Sequence, residues 1–234
     1  MRLALLLPVL AATAGQAMAL DSSTISGGGV TLDYIGYGSE KFNAGYFRSS
    51  WSDSQRYEIN CMMTMQDWRN QQAQVVPCGG VYGYFEDRDW RASSSPATGS
   101  YYSWGLGLQG GANVYLVPQS NRTTLSLVPY LRGGIGYQNA SFSNVPYYGN
   151  PGSGSVPVNL SSDSARVEFQ AGVDLRLAIV HSCEVVFGVG VDYYSAAAIY
   201  ISGGSNGGSV GAVGNSYAFN GTDAWLRFGA GVHF

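Results

Sequence analysis

The segment ARVEFQAGVDLRLAI, residues 165–179, decides the fold of this chain. All of its odd positions are apolar: Ala165, Val167, Phe169, Ala171, Val173, Leu175, Leu177 and Ile179. Five of its even positions carry charged or amide side chains: Arg166, Glu168, Gln170, Asp174 and Arg176. A period of two predicts a β-strand with one apolar face and one polar face.

The closing segment AWLRFGAGVHF, residues 224–234, repeats this alternation. Strands of this kind could belong to a soluble sheet. A transmembrane β-barrel fits better, because its strands have about 9–11 residues with apolar side chains outward and polar side chains inward.

Residues 1–19 have the pattern of a secretory signal peptide. Arg2 provides the positive start, an apolar run follows, and Ala17-Met18-Ala19 forms an A-x-A end. We therefore predict cleavage after Ala19 and a single mature domain over residues 20–234. A membrane anchor is the alternative, but the apolar run is shorter than the roughly 20 residues of a spanning helix.

The composition is low in charge and rich in glycine and tyrosine. Charged residues make up 12%, with 33 Gly and 17 Tyr. Loss of Arg2 would lower the formal net charge from −3 to −4. No basic patch is present, so a nucleic-acid partner is not expected. Aromatic residues and glycines at this level suit a barrel with aromatic girdles and tightly curved strands.

The alternation predicts an all-β fold, an eight-stranded antiparallel transmembrane up-and-down barrel. Its strands are expected near residues 30–37, 57–66, 75–87, 102–116, 125–138, 165–179, 184–193 and 224–234. Long connections are expected at 38–54, 88–99, 141–164 and 202–222, alternating with shorter ones at 67–74, 118–122 and 181–182. Such barrels have short periplasmic turns and longer external loops, so both termini are expected on the periplasmic side.

Two places in this assignment stay open. Residues 42–51 either continue the first strand past a bulge or begin a surface loop, and a ninth crossing strand there is rejected because the number of strands should be even. Pro129 lies inside the fifth predicted strand, where a residue without an N–H predicts a bulge.

The inward face of the predicted barrel carries charges of both signs: Glu58, Arg132, Arg166, Glu168, Asp174, Arg176, Glu184, Asp192 and Arg227. Eight strands enclose a lumen that side chains fill. Unpaired buried charges would be very unfavourable, so these groups are expected to pair across the lumen as a polar core. An ion path is the alternative interpretation.

Three cysteines remain after removal of the signal peptide: Cys61, Cys78 and Cys183. In an oxidising compartment Cys61 and Cys78 could form a disulfide, since a short connection separates them. The alternative is that all three are small apolar residues. No metal site or cofactor is expected, because neither histidine, His181 or His233, shows ligand spacing.

Two segments carry a resemblance to a known family. VPYLRGGIGY, residues 128–137, resembles the PY-x-x-x-G-x-G-Y strand of small outer-membrane β-barrels, the kin of the OmpA and OmpX transmembrane domains. Residues 224–234 resemble the C-terminal signal, ending in the aromatic Phe234, that the barrel assembly machinery recognises. The resemblance implies a Gram-negative-type outer membrane, with its lipids and lipopolysaccharide as surroundings, but it does not fix an activity.

The leading functional hypothesis is a non-enzymatic barrel with a structural or surface-interaction role. Its long polar segments 141–164 and 202–222 are where binding functions would be placed on a rigid scaffold. The second hypothesis is a narrow porin-like channel for ions or small solutes. The inward tyrosines Tyr115, Tyr130 and Tyr194 count against an open lumen.

The third hypothesis is a lipid-modifying enzyme, which needs a nucleophile or water activated by a base. His181-Ser182 is the only adjacent His–Ser pair, and it lies in a predicted periplasmic turn, whereas lipid-modifying barrels work at the outer leaflet. His233 lies at the same end. We therefore assign no catalytic, cofactor-binding or metal-binding residue.

Overall fold

The computed structural model describes residues 25–44, 47–65, 75–93, 95–116, 123–147, 156–179, 183–204 and 217–233. The predicted signal peptide, residues 1–19, lies outside these ranges. The strands are β1 (Ile25–Ala44), β2 (Phe47–Ser49), β3 (Asp53–Met65), β4 (Val75–Arg91), β5 (Thr98–Tyr115), β6 (Thr123–Tyr147), β7 (Val156–Ile179), β8 (Glu184–Gly204) and β9 (Tyr217–His233).

The strands form one antiparallel barrel that closes where β1 pairs with β9. The short β2 pairs only with the outer end of β1. β2 pairs with β1 in the same register as β3. Ile35 pairs with Arg56 and Phe42 pairs with Ser49, so a step of seven residues along β1 matches a step of seven residues from β3 back to β2. β2 and β3 therefore act as one interrupted strand, and the predicted eight-stranded up-and-down barrel is confirmed.

Of residues 42–51, residues 42–44 continue the first strand past a bulge, as one of the two alternatives predicted, whereas residues 47–49 form β2. The register against β9 shifts between Tyr37 and Ser39, and pairing then runs on to Ala44. The bulge predicted at Pro129 is wrong. Pro129 pairs with Val173 in the unbroken ladder between β6 and β7. In the ladder between β5 and β6 the pairing is interrupted at Pro129 and continues beyond it in the same register.

The strands extend into each of the four segments that were predicted as long loops. Within 141–164, β6 runs to Tyr147 and β7 begins at Val156, and their ladder carries one irregularity near Asn144. Segments 38–54 and 88–99 likewise contain strand ends on both sides. In segment 202–222, β8 runs to Gly204 and β9 begins at Tyr217, and residues 205–216 lie outside the described residues. The loop prediction was wrong because the outward side chains there are Ser, Asn and Asp, as expected of a sheet in water.

The outer surface of the barrel changes character along each strand. In β5 the exposed residues run from Leu108 and Leu106 through Trp104 and Tyr102 to Ser100. Other strands follow the same order, with tyrosines between the aliphatic and polar parts: Tyr34, Tyr57, Tyr137 and Tyr193. An exposed apolar belt bounded by such an aromatic girdle is the lipid-facing surface of a membrane barrel.

Inward-facing aromatic rings lie against inward-facing glycines of neighbouring strands. Tyr82 covers Gly107 and Gly134, and Tyr84 covers Gly105 and Gly136. The missing side chains make room for the rings, so a wide ring and a bare backbone fill the narrow lumen together.

Replacing Gly107 by alanine should lower the free energy of unfolding by about 1–3 kcal/mol, because the added Cβ would lie 2.6 Å from the Tyr82 ring and would also meet the Gly133 carbonyl. Urea unfolding in lipid vesicles measures the change. The control is Gly110→Ala, where no atom lies within 4 Å of the added Cβ. Equal midpoints for the two variants would contradict this packing.

Candidate functional site

The lumen is the candidate functional site, and it holds an extensive network of buried charges. Six arginines and eight carboxylates are buried: Arg56, Arg88, Arg132, Arg166, Arg176, Arg227, Asp33, Glu58, Glu86, Glu168, Asp174, Glu184, Asp192 and Asp223. All nine charges predicted to face inward are among them, so that prediction is confirmed. Arg88 was missed because it lies in segment 88–99, which was interpreted as a loop, and Asp223 was missed because it lies just before the eighth predicted strand.

Glu168 is the centre of this network. Its two carboxylate oxygens accept from Arg56 at 2.9 and 3.0 Å in a bidentate pair, and Arg166 Nη2 donates to it at 2.9 Å. The Tyr82 hydroxyl donates a further bond at 2.9 Å. One carboxylate on β7 therefore links β3, β4 and β7 across the lumen.

Glu58 makes a second junction. It accepts from Arg56 Nε at 2.8 Å and from Arg132 Nη1 at 2.7 Å, and Arg227 Nη2 lies at 3.4 Å. Arg227 in turn donates to Asp174 at 2.8 Å. The predicted pairing of mixed charges across the lumen is thus observed between strands far apart in sequence.

The network reaches towards both ends of the barrel. At the end where β1 begins and β9 ends, here called the terminal end, Arg176 donates to Glu184 at 2.8 Å, and His233 Nδ1 lies 3.6 Å from the same carboxylate. At the other end, Arg88 lies 2.6 Å from Asp223 and also bonds Glu86.

Aromatic rings lie against the guanidinium groups. Arg56 lies 4.0 Å from the centre of the Tyr84 ring, and Arg132 lies 4.4 Å from that of Tyr130. Arg166 approaches the ring of Tyr194 at 4.4 Å. The predicted inward tyrosines Tyr130 and Tyr194 are buried, and these cation–π contacts fill the space beside the ion pairs.

An apolar layer, here called the aromatic plug, fills the lumen at the end opposite the terminal end. Its large rings are those of Phe42, Trp51, Trp90, Tyr101, Phe142, Tyr194 and Phe219. Phe42 stacks on Trp51 at 4.3 Å and on Phe142 at 5.4 Å, and Trp51 Nε1 donates to the Tyr194 hydroxyl at 3.1 Å. Sequence reasoning missed the plug, because most of its residues lie in segments interpreted as loops.

The opposite end of the lumen is lined by smaller apolar side chains, including the buried Met62, Cys78 and Val128. Cys78 faces inward, whereas Cys61 lies on the other face of the sheet and pairs with Val81, three residues along. That offset separates the two by about 10 Å, beyond the reach of a disulfide. The Cys61–Cys78 disulfide considered from the sequence is therefore wrong, and both thiols are free.

Most of the other residues considered from the sequence lie outside the part of the chain that the structure describes. His181 and Ser182 lie outside the described ranges, as does Phe234. Within those ranges no group of three His, Cys, Asp or Glu side chains has the arrangement of a metal site. No helix of the described residues is long and apolar enough to cross a membrane.

Comparison with known proteins identifies fold neighbours at low identity. No protein-family model and no curated protein matches the sequence. Among solved structures, Ail of Yersinia pestis is 15% identical, covering 90% of this chain and 99% of Ail, with a TM-score of 0.39. A major outer membrane protein of Thermus thermophilus is 10% identical, covering 89% and 100%, with a TM-score of 0.43. The Escherichia coli outer membrane protease OmpT is 9% identical, covering 91% and 98%, with a TM-score of 0.32.

The fold assignment rests on the geometry of this chain itself. A closed antiparallel barrel of eight strands, an exposed apolar belt and a charged interior together form the architecture of outer-membrane proteins. The chain therefore has the fold of the small outer-membrane β-barrels that its sequence resembles.

Replacing Glu168 by glutamine should destabilise the barrel by about 3–5 kcal/mol, because Arg56 and Arg166 would keep their charges in a buried site without this carboxylate. Urea midpoints in lipid vesicles measure the effect. The exposed Asp89→Asn is the control and should stay within about 0.5 kcal/mol of the native protein. A Glu168→Gln midpoint equal to that of the control would show that the network adds no stability.

Proposed function

We propose that this protein is a sealed, non-enzymatic barrel of the outer membrane that acts as a structural element and as a surface for contacts outside the cell. The observation that carries the proposal is the filled lumen. Ion pairs occupy its middle, the aromatic plug occupies one end, and small apolar side chains line the other.

A narrow porin-like channel is the alternative, and the packing favours the sealed barrel over it. Conduction needs a continuous water-filled path through the lumen. The carboxylates of Glu58 and Glu168 are already bonded to arginines, and Phe142 and Phe219 in the plug are fully buried. Passage of a solute would require both layers to open.

The surface available for contacts is the rim, where the strands continue beyond the aromatic girdle. Its outward side chains are polar, among them Ser141, Ser143, Asn159, Ser161 and Asp163. Within segment 141–164 the rim is largely paired strand, which gives a more rigid surface there than the long loop expected from the sequence. The rim would face outward and the termini would face the periplasm, in keeping with the usual orientation of such barrels.

A lipid-modifying enzyme has less support. His233 is close to Glu184 at the terminal end, which is the proposed periplasmic end. Chemistry on lipids of the outer leaflet would need its base at the rim instead. β7 ends at Ile179 at that same terminal end, and His181-Ser182 follows it in the sequence, outside the described residues.

The partners proposed from the sequence remain part of this function. Outer-membrane lipids and lipopolysaccharide would surround the apolar belt. The barrel assembly machinery would recognise the C-terminal segment that ends in Phe234. A ligand outside the cell would meet the rim, and no nucleic-acid partner is proposed.

Purified protein in planar bilayers should give no steady single-channel steps, because in the proposed sealed barrel the ion pairs and the aromatic plug of the described residues fill the lumen. A known porin, reconstituted in the same way, is the positive control. Reproducible steps of constant amplitude from this protein would overturn the sealed barrel and favour the channel.

Expression of the protein in a Gram-negative host should leave the mass spectrum of lipid A unchanged. Cells carrying the empty vector provide the baseline. A new lipid A species that disappears with His181→Ala would contradict the non-enzymatic proposal.

A further inference from the structure

A trough crosses the lipid-facing surface of the barrel. Two adjoining open depressions of about 590 and 640 Å³ are both lined by Leu131, Ala171 and Val191. The trough extends from β5 across β6, β7, β8 and β9 and ends on β1 at Ser39 and Lys41.

Small residues alternate with Leu131 and Val191 along the floor of this trough. They lie close to one hydrogen-bonded row across the strands, in which Leu131 pairs with Ala171, Ala171 with Val191, and Ala224 with Ser39. Gly110 and Ala112 extend the small-residue surface onto β5. Larger side chains form the two walls: Phe169 and Tyr193 on the rim side, Val173 and Val189 on the other.

The walls and floor are apolar, so the trough suits a hydrocarbon chain. An unfilled depression in contact with lipid forfeits dispersion contacts that an acyl chain lying in it would restore. The two depressions adjoin and together reach from β5 to Lys41 on β1, so an acyl chain lying in them would end beside a cation.

The end of the trough carries positive charge. Lys41 is the only lysine in the chain, and it is exposed. It pairs with Thr222, which pairs in turn with the girdle residue Tyr193. Arg48 is also exposed and pairs with Asn43, two residues along from Lys41. Among the described residues neither cation forms a salt bridge, so both are available to an anion.

We propose that the trough binds one phosphorylated acyl lipid of the surrounding leaflet, with an acyl chain over Ala171 and a phosphate at Lys41 and Arg48. A long lysine side chain beside the girdle can lie along apolar surface while its ammonium reaches the headgroup layer. Charged hydrogen bonds to phosphate oxygens are stronger than neutral ones.

This inference rests on the proposed membrane placement and deepens it, since it turns lipid in general into one bound lipid at a defined site. It does not depend on whether the lumen conducts. The conductance measurement can therefore contradict the sealed barrel without contradicting the lipid site, and the lipid measurement can contradict the lipid site without contradicting the sealed barrel.

Native mass spectrometry of the full protein, released from detergent micelles that contain diphosphorylated lipid A, tests the site. The native protein should retain one lipid A, and phosphatidylcholine at the same concentration should be retained at least about tenfold less. Lys41→Gln should weaken lipid A binding about tenfold, and Lys41→Arg should restore it.

A matched pair of variants tests the acyl part. Ala171→Phe would fill the trough and should weaken lipid A retention about tenfold. Ala230→Phe places the same side chain on the outer face of β9 away from the trough and should leave retention unchanged. Mobility on unheated gels confirms that each variant is a folded barrel.

Three results would overturn the proposal. The first is equal retention by Ala171→Phe and Ala230→Phe, and the second is equal retention of lipid A and phosphatidylcholine by the native protein. The third is a dimer, disrupted by Ala171→Phe, in place of a monomer with one bound lipid.

Discussion

The ladder between β1 and β9 is the interaction on which the rest of the structure depends. It runs from Gly29 paired with His233 to Ala44 paired with Phe219. Without it, two strand edges would present unpaired N–H and C=O groups to hydrocarbon, at several kcal/mol for each group. Closure removes both edges and creates a narrow lumen whose contents decide what the protein can do.

The polarity of the lumen changes along the barrel, and at each level it is the opposite of the polarity of the outer surface. Where the outside is apolar, the inside holds ion pairs such as Arg56 with Glu168. Beyond the girdle the outside is polar, and the inside is the aromatic plug around Phe42 and Phe142. The membrane part is therefore inverted relative to a soluble protein, and the rim has the polarity of an ordinary domain in water. The membrane part presents an apolar surface to lipid, and the rim presents a polar surface to water.

The buried charges hold the strands in register as well as filling space. A buried ion pair gains little net stability over an apolar pair, because both charges lose their hydration. Removal of one partner is strongly destabilising, because the other charge then remains buried without an opposite charge. Contacts such as Arg227 with Asp174 and Arg132 with Glu58 join strands that are distant in sequence, so a slipped register would break several at once.

The sequence by itself determined the barrel, its eight strands and the inward face of the charged core. The alternation of apolar and polar residues is a local property of each strand, and it assigns side chains to the two faces whichever strands pair. Residues 165–179 and 224–234 show this most clearly. Only the tertiary structure decided that Phe142 and Phe219 close the lumen, that Cys61 and Cys78 lie on opposite faces, and that the trough over Ala171 exists. These features depend on the register between strands and on which solvent each strand end meets, and no single segment encodes either.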